Sequence, residues 1–288
     1  MTAHWTSLSV LSWTTQRFQR AGLDSPRLDA ELLLASCLGV DRVRLYVDHD
    51  KPLGPEELAR YRGLVQRRLA REPLAYIIGQ REFWSLPLEV NHHVLIPRPE
   101  SETVVERALA LIDARQIHAP LIVDVGTGSG AIALALGREV REARIHAVEI
   151  DPLALEVARA NARSVGLDLT LHLGDLLDGL PADVGRPDLV VANLPYVTTD
   201  ELARLQPEVR QEPRLALDGG ADGLDLMRRL IPQAARRLAP GGGLALEIGQ
   251  QQADAVAALL QAQGFDGIAR FQDLARLDRV VTANRGRT

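Results

Sequence analysis

The feature that most constrains the fold of this chain is an aliphatic strand pattern followed directly by a glycine-rich loop and then by a helix. Residues 120–125 are almost entirely apolar, and Gly126, Gly128 and Gly130 follow at once. Such a run is typical of a parallel strand buried on both faces. Because glycine lets the backbone turn tightly and approach a ligand, the loop predicts a cofactor site at the carboxyl end of this strand.

Strand and helix patterns alternate from residue 120 onward, which predicts a doubly wound α/β sheet. The predicted strands cover residues 120–125, 144–149, 169–173, 188–192 and 243–248, with two further runs near 267–272 and 279–283. The predicted helices between them cover residues 131–137, 152–165, 224–238 and 253–262.

Residues 1–76 carry helix signals only, and we interpret them as a small all-helical domain of four short helices. Leu8 and Phe18 are predicted on the buried face of the first helix, and Pro73 is interpreted as following the end of the fourth. Since no catalytic constellation is visible in this domain, we expect it to dock the substrate. Residues 77–100 have the pattern of a β-hairpin linker, and residues 101–288 form the α/β domain.

Composition and charge exclude several classes of function for this chain. The net charge of −5 and the pI of about 5.8 argue against a protein that grips nucleic acid through phosphates. The absence of a membrane-spanning run or a signal-peptide core predicts a cytoplasmic protein without membrane partners. Cys37 is the only cysteine and is predicted in a helix core, and the seven histidines show no metal-ligand spacing. We predict no metal site, and we expect a monomer.

The glycine loop alone fits two cofactors. Gly126, Gly128 and Ala131 match a dinucleotide fingerprint, and Glu149 at the end of the next predicted strand suits ribose hydroxyls in either an NAD or an S-adenosylmethionine site. Asp124, two residues before the loop, favours the second, because its carboxylate attracts a positive sulfonium and repels a pyrophosphate.

The tetrapeptide Asn193-Leu-Pro-Tyr196 follows the strand predicted at 188–192, at the same carboxyl edge of the sheet. Its asparagine offers a carboxamide, Leu194 and Pro195 offer carbonyl groups, and Tyr196 offers a flat apolar face. Proline also restricts the residue before it, so the Leu194 carbonyl has a defined direction. This set predicts a site for a planar amide or amino group.

A second rigid segment precedes the α/β domain. Pro97 and Pro99 bracket Arg98, which predicts extended backbone that presents Arg98 and Glu100 at a constant place. We interpret both side chains as substrate-binding candidates.

Over nearly its whole length the chain resembles the bacterial protein-glutamine methyltransferases of the PrmC (HemK) type, which modify peptide chain release factors. The motifs that carry the resemblance are 79–84, 95–102, 124–130, 193–196, 212–217, 219–223 and 247–249.

The resemblance implies a class I (Rossmann-like) methyltransferase fold, S-adenosylmethionine as cofactor, and the glutamine of the Gly-Gly-Gln motif of class 1 release factors as substrate. It implies catalytic and substrate-binding roles for Asn193, Leu194, Pro195 and Tyr196. The cofactor-binding residues that it implies are Asp124, Gly126, Thr127, Gly128, Ser129, Gly130, Glu149, Asp175, Leu176 and Asn193.

Two positions depart from the family pattern. Leu194 replaces the first proline of the usual Asn-Pro-Pro-Tyr, but it still supplies a carbonyl whose direction Pro195 restricts, so we expect activity. Glu149 stands where aspartate is commoner, as a longer arm for the same ribose contact.

Rival functions are compatible with the same residues. An adenine-N6 nucleic-acid methyltransferase uses the same type of loop and tetrapeptide, because an exocyclic amino group poses the same geometric problem. The sequence also fits a methyltransferase for a glutamine of a ribosomal protein, a cofactor-binding module without activity, and an NAD-dependent enzyme.

Overall fold

The computed structural model describes residues 5–286, which fold as two compact units. The first unit comprises the described residues up to Gly79 together with Pro207–Gln211, and the second comprises Gln80–Gln206 and the described residues from Glu212 onward. The boundaries predicted from the sequence did not include the short segment that joins the first unit.

The described part of the first unit contains five helices around a core that includes Phe18, Leu33 and Leu34. The helices are α1 (Ser7–Arg20), α2 (Pro26–Leu38), α3 (Arg42–Val47), α4 (Pro55–Leu69) and α5 (Leu74–Ile78). The prediction of four helices was wrong, because Pro73 is the N-cap of α5. Leu8 was also placed on the wrong face, since it is exposed while Phe18 is buried. Cys37 lies in α2 and is only half-buried.

A buried ion pair ties α2 to α4. The Arg68 guanidinium donates to the Asp29 carboxylate at 2.8 Å, and both side chains are less than a tenth exposed. A second nitrogen of Arg68 donates to Glu208 at 2.9 Å. Because a charge away from water needs a partner, this pair makes the first unit dependent on Arg68.

The predicted hairpin opens the second unit as β1 (Gln80–Phe83) and β2 (Leu86–Glu89). Trp84 and Ser85 form its two-residue turn, and both have positive φ, as in the turns that suit a hairpin's twist. The backbone N–H of Trp84 donates to Glu102 at 3.0 Å, which offsets part of the strain of this conformation.

The rest of the second unit is a seven-stranded sheet with helices on both faces, so the predicted fold is confirmed. The strands are β3 (Leu121–Val125), β4 (Arg144–Glu149), β5 (Thr170–Leu173), β6 (Leu189–Ala192), β7 (Gly243–Glu247), β8 (Phe265–Gln272) and β9 (Asp278–Arg285). The helices are α6 (Glu102–Arg115), α7 (Ala131–Glu139), α8 (Pro152–Val165), α9 (Asp225–Arg237) and α10 (Ala253–Ala262).

The strand order β5-β4-β3-β6-β7-β9-β8 places β3, the first strand of this sheet along the chain, third from one edge. Its neighbours β4 and β6 are both parallel to it, whereas β9 is antiparallel to its neighbours. Val125 of β3 is in register with Ala192 of β6, so the chain leaves both strands at one edge. The connections diverge there, which is where open α/β sheets form a ligand crevice.

No helix among the described residues 5–286 has both the length and the apolar character needed to cross a membrane.

Candidate active site

A cavity of about 250 Å³ lies at the carboxyl edge of β3, β4 and β6. Twelve of the fifteen residues predicted to bind cofactor or substrate line it, whereas Gly130, Tyr196 and Glu100 do not. The twelve are Arg98, Asp124, Gly126, Thr127, Gly128, Ser129, Glu149, Asp175, Leu176, Asn193, Leu194 and Pro195.

Asp124 lies near the end of β3 and is almost completely buried. Its Oδ2 atom accepts hydrogen bonds from the Thr127 hydroxyl at 2.7 Å and from the Ala133 N–H at 3.2 Å. Its Oδ1 atom has no hydrogen-bond partner among the described residues. Burial raises the pKa of Asp124 to about 6, although the two hydrogen bonds oppose that rise. A buried carboxylate with one free oxygen favours a cationic ligand group.

The glycine loop is held mainly by its own protein surroundings. The N–H groups of Gly126 and Thr127 donate to the Val148 carbonyl at 2.9 and 3.2 Å, and that of Gly130 donates to Thr127. The N–H of Gly128 donates to the Glu149 carboxylate at 2.8 Å. These four loop N–H groups are therefore bonded within the protein and are not free for a ligand. A pyrophosphate depends on free N–H donors, so the loop itself disfavours a dinucleotide.

Glu149 ends β4 and points its carboxylate along the cavity edge. Its Oε1 atom accepts hydrogen bonds from the N–H groups of Ile150 and Asp151, at 2.8 and 3.1 Å. Three backbone N–H groups, counting that of Gly128, thus hold one carboxylate in place. Oε1 thus uses both of its acceptor sites, and Oε2 keeps one site for a ribose hydroxyl group.

Asp175 and Leu176 lie on the far side of the cavity, beyond β5. Leu176 is buried and has a positive φ of 50°, a rare conformation for a branched residue. Arg229 of α9 forms an ion pair with Asp175 and also lines the cavity. The Asp175 carboxylate therefore has a cationic partner, which sequence reasoning had not identified.

Asn193 follows β6 directly, and its carboxamide has a defined orientation. The amide nitrogen Nδ2 donates to the Ser101 hydroxyl oxygen at 3.1 Å. Ser101 is buried at the start of α6. The carboxamide oxygen of Asn193 is therefore the atom left to accept a hydrogen bond from a ligand.

Leu194, which replaces a proline of the family pattern, is buried beneath the glycine loop. Its Cδ2 atom would lie 3.0 Å from a β-carbon placed on Gly126, and Gly126 has a φ of 71°. Both the close approach and the positive φ require glycine at that position. The Leu194 side chain thus packs against the cofactor loop, while its carbonyl stays available.

Tyr196 turns its hydroxyl away from the cavity lining. The hydroxyl donates to Oε1 of Glu247 at 3.3 Å, and burial together with the Glu247 charge raises the tyrosine pKa. The Tyr196 carbonyl accepts a hydrogen bond from the Gln252 amide at 3.0 Å. A β-carbon on Gly223 would clash with the same carbonyl oxygen, which explains the glycine there.

Arg98 reaches the cavity from an extended backbone, as its flanking prolines predict. It forms an ion pair with Glu212, a residue that is only about a twentieth exposed. Oε2 of Glu212 also accepts the Ile96 N–H at 3.0 Å, so one carboxylate holds this segment at two points. Glu100 is exposed and lies outside the cavity lining.

Four residues of this region had no assigned role in the sequence interpretation: Ser101, Glu212, Arg229 and Glu247. Ser101, Glu212 and Glu247 stand in motifs that carry the family resemblance, so their positions were visible but their contacts were not. Arg229 gave no signal of its own, because only the folded chain brings it to the cavity.

Comparison with protein families supports the resemblance that the sequence motifs indicate. The family described as PrmC N-terminal domain matches residues 9–79, and the family described as Methyltransferase domain matches residues 122–212. A release factor glutamine methyltransferase of Geobacter sulfurreducens is 47% identical, over 96% of this chain and 96% of its own length. The chain belongs to the release factor glutamine methyltransferase family.

Further comparisons agree with membership of the release factor glutamine methyltransferase family. Another member, from Caulobacter vibrioides, is 42% identical over 94% of each chain. Among solved structures, a methyltransferase from Pyrococcus furiosus superimposes with a TM-score of 0.52, at 17% identity, over 80% of this chain and 98% of its own. This structural likeness concerns the fold alone.

Proposed function

We propose that this protein methylates the side-chain amide nitrogen of the glutamine in the Gly-Gly-Gln motif of class 1 peptide chain release factors, with S-adenosylmethionine as methyl donor. The single observation that carries the proposal is the orientation of Asn193, whose amide nitrogen donates to Ser101 and whose oxygen is left to accept from a ligand. A substrate amide needs such an acceptor, because it approaches with its two N–H donors.

The residues of the cavity suit the cofactor. When bound, S-adenosylmethionine supplies a methyl group activated by a positive sulfonium. Asp124 has an unpartnered buried oxygen that favours a cation, and Glu149 is held where ribose hydroxyl groups find an acceptor. Asp175 and Leu176 are proposed for the adenine side, where Arg229 adds a donor group.

The substrate amide requires positioning more than proton transfer. Its nitrogen lone pair is delocalised into the carbonyl group, so the nitrogen is a weak nucleophile. The Asn193 carboxamide oxygen and the Leu194 carbonyl are proposed to accept one amide hydrogen each, which aims the nitrogen. Both acceptors are partly negative and favour the positive charge that develops on nitrogen. Alignment of two reactants contributes roughly 7–11 kcal/mol, so no general base of tuned pKa is required. The N–C bond forms as the S–C bond breaks, and the nitrogen then loses one proton to solvent.

The remaining parts of the proposal concern the substrate. Arg98 is proposed to contact the release factor near the cavity, and Glu100 to contact it from the exposed side. The enzyme is proposed to act as a monomer in the cytoplasm, where its protein substrate is found. It is not expected to bind nucleic acid directly. The described residues contain no cluster of His, Cys, Asp and Glu that could hold a metal ion.

The test is methyl transfer from labelled S-adenosylmethionine to purified release factor, with a substrate variant that lacks the Gly-Gly-Gln glutamine as the matched control. We expect label on the intact release factor only. Label on neither substrate, together with intact cofactor binding, would contradict the proposal. A parallel assay with ribosomal proteins and DNA then identifies the substrate class that is methylated instead.

A further inference from the structure

A buried carboxylate that the proposed mechanism does not use lies behind the tetrapeptide. Glu247 ends β7, the neighbour of β6, and its side chain is about one-hundredth exposed. Its Oε1 atom accepts the Tyr196 hydroxyl at 3.3 Å, whereas Oε2 has no hydrogen-bond partner that meets normal geometry among residues 5–286. Such a group is costly to bury, so its position calls for a functional explanation.

Ser101 neighbours both Asn193 and this carboxylate. Its Oγ atom accepts the Asn193 amide at 3.1 Å, and its hydroxyl lowers the pKa of Glu247 against the larger rise that burial causes. A serine hydroxyl has a single proton. Because its oxygen already accepts from Asn193, that proton is free to point toward Glu247. Ser101 is itself buried, so water does not compete for either interaction.

The direction of these interactions decides which end of the Asn193 carboxamide meets the substrate. With the Ser101 proton turned toward Glu247, Ser101 can only accept from Asn193, and the asparagine oxygen is left for the substrate. If Ser101 instead donated to Asn193, the carboxamide would rotate and present N–H donors. Those N–H donors could not form hydrogen bonds with the N–H groups of a glutamine amide, which need an acceptor.

We propose that Glu247 is a positioning residue for methyl transfer, whose carboxylate holds the Ser101 proton and thereby keeps the Asn193 oxygen turned toward the substrate amide. This inference rests on the proposed function. The same carboxylate holds the Tyr196 hydroxyl, so a single group constrains both ends of the tetrapeptide.

Three further groups influence the pKa of Glu247. Arg279 of β9 favours its ionised form, Glu100 opposes it, and Tyr196 donates to it. Arg279 is also paired with Asp273 at 3.1 Å, which weakens its effect. Burial is the largest influence and raises the pKa of Glu247 to about 7. The ionised carboxylate that the arrangement requires therefore predominates above that pH.

The experiment compares wild type with Glu247→Gln, Ser101→Ala and the double variant, using release factor as methyl acceptor. Glutamine keeps the shape of Glu247 but adds N–H donors, which compete for the Ser101 oxygen. We expect kcat to fall about 10- to 100-fold while the Kd for S-adenosylmethionine changes less than about twofold. The double variant should be no slower than Ser101→Ala alone, because both changes break one connection.

Two further measurements separate positioning from a structural role. At saturating cofactor, wild-type kcat should rise with pH through about 7, and Glu247→Gln should lose that rise. In nuclear magnetic resonance spectra, the Asn193 side-chain amide, assigned from Asn193→Ala, should be protected from exchange in wild type only. Glu156→Gln, an exposed glutamate paired with Arg159 on α8, is the control for the chemical change and should leave kcat unaltered.

Wild-type kcat in Glu247→Gln would overturn the inference, as would additive losses in the double variant. A loss of cofactor affinity together with kcat would also overturn it, since that is the result of a structural role. If wild type methylates no release factor, the proposed function fails, and the Asn193 amide resonance still decides whether Glu247 orients the carboxamide.

Discussion

The proposed methyl transfer depends most on one side chain, that of Asn193. Asn193→Ala removes the acceptor that orients the substrate amide, while the glycine loop, Asp124 and Glu149 remain. We expect turnover to fall about 100- to 1,000-fold, with the Kd for S-adenosylmethionine unchanged within a few-fold. Turnover assays and calorimetric binding measure the two quantities. Loss of both together would indicate a structural asparagine and contradict the proposed role.

Asp124 links pH to cofactor binding. Its pKa in the fold is about 6, above the ordinary 3.8, because burial disfavours the charge. The stability that it contributes to the cofactor-free protein is therefore complete below about 3.8 and is lost as pH rises through about 6. The affinity for S-adenosylmethionine follows the opposite direction, because only the ionised carboxylate attracts the sulfonium. We expect the affinity to decrease as pH falls below about 6.

Asp124→Asn tests this dependence. Loss of the charge should weaken S-adenosylmethionine binding about tenfold or more at pH 8, a difference of at least about 1.4 kcal/mol. The pH dependence near 6 should disappear. Titration calorimetry between about pH 5 and pH 8, on either side of that pKa, measures both effects. Binding that is as tight as in wild type would exclude a cofactor contact for this carboxylate.

At the scale of elements, the pairing of α2 with α4 depends on one buried charge. Arg68→Met keeps much of the side-chain volume but leaves the Asp29 carboxylate buried without its partner. We expect the free energy of unfolding of the first unit to fall by about 3–5 kcal/mol. Denaturant titration followed by the fluorescence of Trp5 and Trp13 measures it. The double change Asp29→Leu with Arg68→Met should recover much of the loss, and no recovery would point to another cause.

At the scale of the whole molecule, the proposed cofactor contacts all belong to the second unit. Ligand at about 100 times its Kd should therefore stabilise that unit by about 2.7 kcal/mol. Trp84 reports on this unit alone in a chain with Trp5→Phe and Trp13→Phe. Thermal unfolding with and without S-adenosylmethionine should show the shift. An unchanged midpoint with saturating ligand would contradict the proposed site.

The sequence predicted most elements because their determinants are local. The strand from Arg144 to Glu149 and the helices 152–165 and 253–262 have the predicted bounds, since apolar periodicity and caps define them. Local signals failed where one residue admits two interpretations. Pro73 is compatible both with the end of one helix and with the start of the next, and only packing against the rest of the first unit decides.

For the site, the sequence by itself determined which residue types stand at the carboxyl edge of the sheet. The order of strands and helices predicts that both chain segments leave the sheet at this edge, and the register of β3 with β6 brings the glycine loop beside Asn193. Only the tertiary structure decided the partners of those residues. Ser101 lies 92 positions from Asn193 in the chain, and Glu247 lies 51 from Tyr196. A hydrogen bond depends on distance and angle within tenths of an ångström, and no local pattern encodes contacts across such separations.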